Sequence, residues 1–373
     1  MNVVQLNFAN GEWKCEQDVA INPQLCLLFG SRFTIENNTT FVSDLKKKYP
    51  NAEVVTTSTA GNIVDEQLLD DTIIATCIEF EKTKIKAQSF LFEENAELIG
   101  EKIANYFNTE DLTYLLILSN MGVNAGNILA GINSVFKGSV PVSGGVAGDD
   151  TRFEKTLVGI NENITNNQIV AVGFYSKNLI VSHGSKGGWD KFGPIRKVTK
   201  CKGNILYEID NKPVLNLYKE YLGERAKELP SSGLLFPFAI IENTTKEPVV
   251  RGIQNVDEVE NSIILYGDVV EGQSIQLMRA NFNRLIDGAG DSAKETFLKQ
   301  ASEPDLAILI SCVARRLVLG QLTEEELTET KKVLGQNTTM CGFYSYSELS
   351  PVVGDNACYL HNQTMTITTL SEN

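Results

Sequence analysis

The sequence predicts an α/β protein with two mixed α/β domains and a β-rich middle section, and three observations carry that expectation. At 373 residues the chain exceeds the roughly 250–300 at which a single hydrophobic core usually stops growing. Apolar runs of strand length alternate with helical patterns through the N-terminal half, as partly parallel strands joined by helices do. Beyond Asp150 the helical patterns give way to strand runs separated by short polar gaps.

In chain order, "LCLLFG" (25–30), "AEVVTTST" (52–59) and "TIIATCIEF" (72–80) read as strands, "FEENAELIGEKIANYF" (92–107) as a helix and "YLLILSN" (114–120) as a further strand. "TLVGI", "QIVAVGFYS" and "LIVSHGS" form the β-rich section. A boundary is expected at Asn211 and Lys212, before the amphipathic "PVLNLYKEYLGERAKEL", which divides the chain into domains over 20–211 and 212–373. "SIILYGDVVEGQSIQLMRAN" (262–281) reads as a hairpin turning at Glu271 and Gly272. Residues 113–149 and 305–348 share the order strand, loop, helix, strand, glycine-containing loop, and end on Asp149 and Glu348, which suggests duplicated βαβ units. Equivalent strand ends would then face one crevice, where open α/β sheets bind ligands.

The 33 Lys and Arg against 47 Asp and Glu give a net charge of -14, which repels a nucleic-acid backbone, so nucleic acid is not expected as a partner. The N-terminus lacks a basic region followed by an apolar one, and no apolar run approaches the roughly 20 residues of a membrane span. A cytoplasmic protein without membrane insertion is expected. Seven cysteines are scattered singly with no C-x-x-C pair, so neither a disulfide framework nor a metal site is expected, and no motif calls for a cofactor.

"SVPVSGGVAGDD" (139–150) looks like a phosphate loop, but it lacks the Lys of a Walker motif, the spacing of a dinucleotide fingerprint and a following helix. It reads either as a tight structural turn or as one wall of a pocket for a small polar molecule, with Gly144 and Gly145 admitting a ligand to the backbone and Asp149 meeting an amine or hydroxyl. Arg315 ends an apolar strand and suits a ligand carboxylate, or else pairs with an acid of the helix "TEEELTET". Arg251, amid apolar residues, is a second candidate cation or the partner of an acid such as Asp257. His361, Asn362 and Thr364 lie in a strand with one polar face and could line a pocket or satisfy one another. Cys312 reads as a small buried hydrophobe, or as the nucleophile of a hydrolase or transferase with His361 as base and Glu348 as orienter.

"PVSGGVAGDD", "GFYSKNLIVSHGSKGGWDKFGPIRKVTK" and "ILYEIDNKPVLNLYKEYLG" resemble the N-terminal part of FIST domain proteins. "VVRGIQNVDEVENSIILYGDVVEGQSIQLMRAN", "ILISCVARRLVLG", "GFYSYSELSP" and "LHNQTMTITTL" resemble that family's C-terminal part. The resemblance implies a sensory input module that binds a small ligand, with amino acids among the candidates, and that serves signalling proteins such as histidine kinases or chemotaxis components. Where the family commonly has a glycine before the glutamate of its G-F-Y motif, this chain has Ser347 before Glu348. No kinase, cyclase or chemotaxis module is read in the chain, so output is expected through a separate partner. An amino acid would need a cation for its carboxylate and an acid for its ammonium, roles open to Arg315 or Arg251 and to Glu348 or Asp149.

Overall fold

Apolar runs without polar alternation must be covered on both faces, and each becomes the central strand of a sheet. The computed structural model describes residues 1–15, 19–241, 248–298, 302–352 and 354–373. The first unit comprises β1 (Asn2–Ala9), β2 (Glu12–Cys15), β3 (Leu25–Gly30), α1 (Arg32–Asn37), α2 (Phe41–Lys48), β4 (Glu53–Ser58), a hairpin of β5 (Asn62–Val64) and β6 (Gln67–Leu69), and β7 (Ile73–Glu79). The second comprises β8 (Lys84–Leu91), α3 (Ala96–Phe107), β9 (Leu112–Ser119), α4 (Ala125–Phe136), β10 (Val142–Val146), a hairpin of β11 (Val158–Ile160) and β12 (Asn163–Thr165), and β13 (Gln168–Tyr175). The third opens with β14 (Leu179–Lys186).

Its chain then leaves to build a lobe of β15 (Asp190–Lys202), β16 (Ile205–Ile209), β17 (Lys212–Pro213), α5 (Val214–Leu222), β18 (Phe238–Ile241), β19 (Val249–Arg251), β20 (Ile253–Asp257), β21 (Ser262–Leu265) and β22 (Ser274–Arg279). It returns through α6 (Phe282–Thr296), β23 (Leu306–Cys312), α7 (Val313–Leu319), α8 (Thr323–Leu334), β24 (Thr339–Ser345), a hairpin of β25 (Ser347–Val352) and β26 (Asp355–His361), and β27 (Met365–Glu372).

The fold is mixed α/β, and the unit occurs three times rather than twice. In each, two parallel strands (β3 and β4, β9 and β10, β23 and β24) are flanked by an antiparallel strand (β7, β13, β27) and then by an antiparallel neighbour (β1, β8, β14). The hairpins are exchanged in a cycle: β5 adds to β24 of the third unit, β11 to β4 of the first, and β25 to β10 of the second. Three equivalent backbone bonds close that cycle, from Ala60 N–H to Tyr344 O (2.8 Å), Gly148 N–H to Ser58 O (2.9 Å) and Tyr346 N–H to Val146 O (3.1 Å). Leu27, Phe29, Leu116, Leu118, Ile308, Ile310 and Phe343 from all three sheets share one buried cluster, and the helices pack outside.

The boundary expected at 211 and 212 lies in the lobe, between the paired β16 and β17, and two core sheets draw strands from both sides of it. One sequence expectation changes. The hairpin expected over 262–281 does not form: β21 pairs with β16 and β20, whereas β22 pairs with β15 and β18. The lobe has its own apolar core, including Val198, Leu206, Tyr218, Phe238, Ile263 and Leu277, and each strand goes to the sheet edge that buries its apolar face.

Arg315 holds the root of the lobe. It is fully buried, donates to Glu326 Oε2 through Nε (3.0 Å) and Nη2 (2.8 Å), and also donates to the backbone oxygens of Gly187 and Leu285, one on each connection to the lobe. Glu326 is completed by the hydroxyls of Ser311 (3.1 Å) and Tyr344 (2.7 Å).

Gly144 and Gly342 occupy the same position in two units, with φ of 154° and 153°. A Cβ at either would stand 1.8 Å from the carbonyl oxygen of Ile117 or Leu309 across the parallel pair. Gly144→Ala and Gly342→Ala should therefore each lower unfolding stability by about 3 kcal/mol or more in urea titrations. Arg315→Ala strands the Glu326 carboxylate in the interior and should cost about 3–5 kcal/mol in the same measurement.

Candidate functional site

The carboxyl ends of parallel strands are where a sheet leaves backbone groups and loops open to a ligand. Here the loops after β9, β10 and β24 face the lobe across a cleft of about 1050 Å3. Met121 to Ala125, Thr151, Phe153, Tyr346, Ser347 and Leu317 form its core side, and Ser231, Leu234, Ile253, Tyr266 and Asp268 form its lobe side. Phe153 comes from a loop over residues 149–156 that the other units lack, since Gly148 leads to β11 where Ala60 and Tyr346 lead at once to β5 and β25. Its ring stacks on Tyr346 with centroids 4.3 Å apart.

A small pocket adjoins the cleft, lined by Phe153, Tyr266, Tyr346, Cys312, Asn362 and Gln363 among others. Two of these residues hold left-handed backbone without being glycine, Phe153 at φ 55° and Gln363 at φ 58°, a conformation that costs free energy and clusters at functional sites. Gln363 is held by the Trp189 indole N–H on its carbonyl (2.8 Å) and by its own Nε2 on Leu234 O (3.3 Å). Asn362 donates through Nδ2 to Ser347 Oγ (3.2 Å) and His361 O (3.0 Å). Because both amide nitrogens donate to backbone carbonyls, the amide orientations are fixed. The buried Asn362 Oδ1 and Gln363 Oε1 find no hydrogen-bond partner among the described residues.

Glu348 is completely buried beside this pocket. It accepts the Thr364 N–H (3.1 Å) and hydroxyl (2.9 Å) on Oε2 and the Ser345 hydroxyl (3.0 Å) on Oε1. Burial raises its pKa to about 8, against the pull of those donors and of the neighbouring Cys312. Burial, and then the Glu348 charge, push the Cys312 thiol well above its ordinary value.

Of the residues singled out from sequence, Cys312, Glu348, Asn362 and Thr364 come together here. His361 lies opposite Glu348 on the neighbouring strand, but its Nε2 bonds Ser350 O (3.0 Å) and burial lowers its pKa to about 4. His361 therefore does not stand as a base to Cys312 and keeps a structural bond instead. Arg251 packs behind the cleft wall and donates to the carbonyls of Val250, Leu360 and Asp268.

The rest are corrected. Arg315 does not meet the cleft, because Glu326 and the lobe's root take it, the ion pair that "TEEELTET" offered as the alternative. Asp149 is buried against Arg32 (2.8 Å) and the Lys155 N–H (3.2 Å), and so is committed to its own loop. Gly144 and Gly145 lie within β10 rather than in a ligand loop, and Gly144 serves strand packing. Glu348 matches Asn62 rather than Asp149, since they face Gly145 and Phe343 at the same place in the exchanged hairpins. Sequence reasoning missed Phe153, Tyr266, Tyr346 and Gln363. A polar residue amid "LHNQT" and an aromatic in "GFYSYSE" were visible, but their convergence depends on the exchanged hairpin and the lobe.

The profile of the FIST N domain matches residues 24–212 and that of the FIST C domain residues 215–351. An uncharacterized protein of Methanocaldococcus jannaschii is 22% identical over 312 residues, covering 75% of this chain. The match takes in 58% of that protein's own length. No helix among the described residues is long and apolar enough to cross a membrane.

The Glu348 shift has a defined sign. Its folded pKa lies above the unfolded one, so the stability it confers is complete below the unfolded value and is lost as pH rises to about 8. Between pH 5 and 8 the wild type should lose up to about 1.4 kcal/mol per pH unit relative to Glu348→Gln, as read from urea midpoints.

Proposed function

Because this chain belongs to the FIST family, we propose that it is a sensory module that binds a small ligand between its threefold core and its lobe. The observation that carries this reading is the cleft of about 1050 Å3, which opens at the carboxyl ends of parallel strands and is walled by both bodies. A cleft shared in this way makes ligand affinity depend on how the lobe sits, so binding biases the lobe's position. Gly187 and Leu285, where the lobe joins the core, are held by Arg315 only a few residues along α7 from Cys312 at the floor. The output is a change in lobe position read by a separate signalling chain, such as a histidine kinase or a chemotaxis component.

An α-amino acid is one ligand class that this reading admits. The geometry favours binding over thiol chemistry, because Cys312 is held as a thiol by burial beside the Glu348 carboxyl group and His361 is turned to Ser350.

A thermal-shift screen over amino acids and metabolites tests the proposal. A ligand at about 100 times its Kd should add roughly 2.7 kcal/mol of stability, and small-angle scattering should report a change in lobe position. Cys312→Ser should keep that affinity within about threefold, as expected where the sulfur fills space rather than reacts, and the wild type should resist iodoacetamide at neutral pH. A screen in which no compound moves the midpoint would count against the reading, as would rapid labelling of Cys312.

A further inference from the structure

We infer that the cleft takes an uncharged molecule with a flat ring, which stacks on the open face of Phe153 and lays its apolar remainder against Met121 and Leu317. This rests on the ligand-binding reading above and adds the chemical class of the ligand. Two independent observations carry it, and both concern side chains that solvent reaches.

The first is charge depletion. Lys, Arg, Asp and Glu make up 21% of the chain, yet among the 22 described residues that line the cleft Asp268 alone is charged. Asp268 is exposed, so water already solvates its carboxylate. A ligand charge carried between these walls would leave water without gaining a buried partner of opposite sign, a cost that a neutral ligand escapes. Large apolar side chains are meanwhile left open there: Met121 is 38% exposed, Phe153 36% and Leu317 41%. Their contact with water costs free energy that an apolar ligand returns. At about 1050 Å3 the cleft stands at the top of the roughly 300–1,000 Å3 range of pockets for drug-sized ligands, which leaves room for a ligand well beyond a free amino acid.

The second is how Phe153 is presented. In "DDTRFEK" (149–155) it is the single apolar residue. The charged side chains around it pair away from the cleft: Asp149 and Glu154 with Arg32 (2.8 and 3.3 Å), Arg152 with Asp150 (3.5 Å) and Lys155 with Glu36 (2.6 Å). The ring goes to the cleft instead. Its backbone is left-handed, at φ 55°, which is uncommon for a bulky side chain. The Phe153 N–H donates to the Tyr346 hydroxyl (3.1 Å), and the two rings lie within 18° of parallel. One face of Phe153 therefore rests on Tyr346, and its exposure belongs to the other face and the edge. A strained loop that ends in an open ring costs stability without burying the ring, as strain kept for recognition does. Stacked rings attract beyond what their buried area gives, which selects a flat ligand over a saturated one of equal size.

Fluorescence titration of the full chain at pH 7 decides the matter. The neutral fluorophore N-phenyl-1-naphthylamine serves as reporter, displaced by 2-naphthylmethanol, by its saturated counterpart decahydro-2-naphthylmethanol and by 2-naphthoate. The aromatic alcohol should bind about threefold or more tighter than the saturated one and about tenfold or more tighter than the carboxylate. Phe153→Leu, which keeps the site apolar, should bring the two alcohols within about twofold of each other. Leu317→Gln should weaken both alcohols alike, by about threefold. A saturated alcohol or a carboxylate that binds as tightly as the aromatic alcohol overturns the inference and leaves the ligand-binding reading standing. So does an aromatic preference that Phe153→Leu leaves unchanged. A dimer in sedimentation that Leu317→Gln dissolves puts a second copy of the chain in the cleft and overturns the inference as well. If no probe binds, the inference falls, and the ligand-binding reading falls with it where the thermal-shift screen also finds nothing.

Discussion

Three backbone hydrogen bonds organise this molecule: Ala60 to Tyr344, Gly148 to Ser58, and Tyr346 to Val146. Each joins the end of a parallel strand in one unit to the matching strand of another, and each stands where the chain turns into an exchanged hairpin. Because backbone donors buried at such a point must be paired, the geometry of any one strand end is fixed by the other two. No unit can complete its sheet from its own residues. The structure is therefore rich in contacts between distant parts of the chain, a topology that folds slowly because loop closure precedes its reward.

The cycle also explains where a site can exist. Strand ends that serve the cycle are filled by packing, and what remains open are the loops just beyond them. The second unit adds the loop carrying Phe153, and the third adds the lobe carrying Tyr266 and Asp268. Additions to two units thus meet over the floor formed by Cys312, Asn362 and Gln363 of the third. The buried Arg315 and Glu326 pair fixes the base of one addition. Such a pair contributes little net stability once desolvation is counted, but it leaves few alternative placements for the carbonyls it holds.

Much of this was legible in the sequence where local pattern decides structure. "LCLLFG", "YLLILSN" and "LAILISC" became fully buried strands because only a covered strand tolerates apolar residues on both faces. The likeness of residues 113–149 to 305–348 was real, yet it concealed a third copy: Thr56 stands in the first unit where Gly144 and Gly342 stand in the others, so the shared glycine is missing. The site was half legible. Glu348, Cys312, Asn362 and Thr364 lie in motifs that converge, while Arg315 and Asp149 were misplaced because a charged residue in a motif reads the same whether it faces a ligand or a partner acid. Only three-dimensional neighbours, Glu326 and Arg32, separate those cases.

The two connections of the lobe come close enough for one guanidinium to hold the carbonyls of both Gly187 and Leu285. An insertion whose entry and exit meet at a single point puts no demand on the spacing of the scaffold that carries it. Its length, sequence and chemistry can drift, or be replaced wholesale, while the threefold body keeps its register. Evolution can in this way refit one face of the cleft for a new ligand without renegotiating the fold, and the same property makes the root at Gly187 and Leu285 a natural seam for grafting.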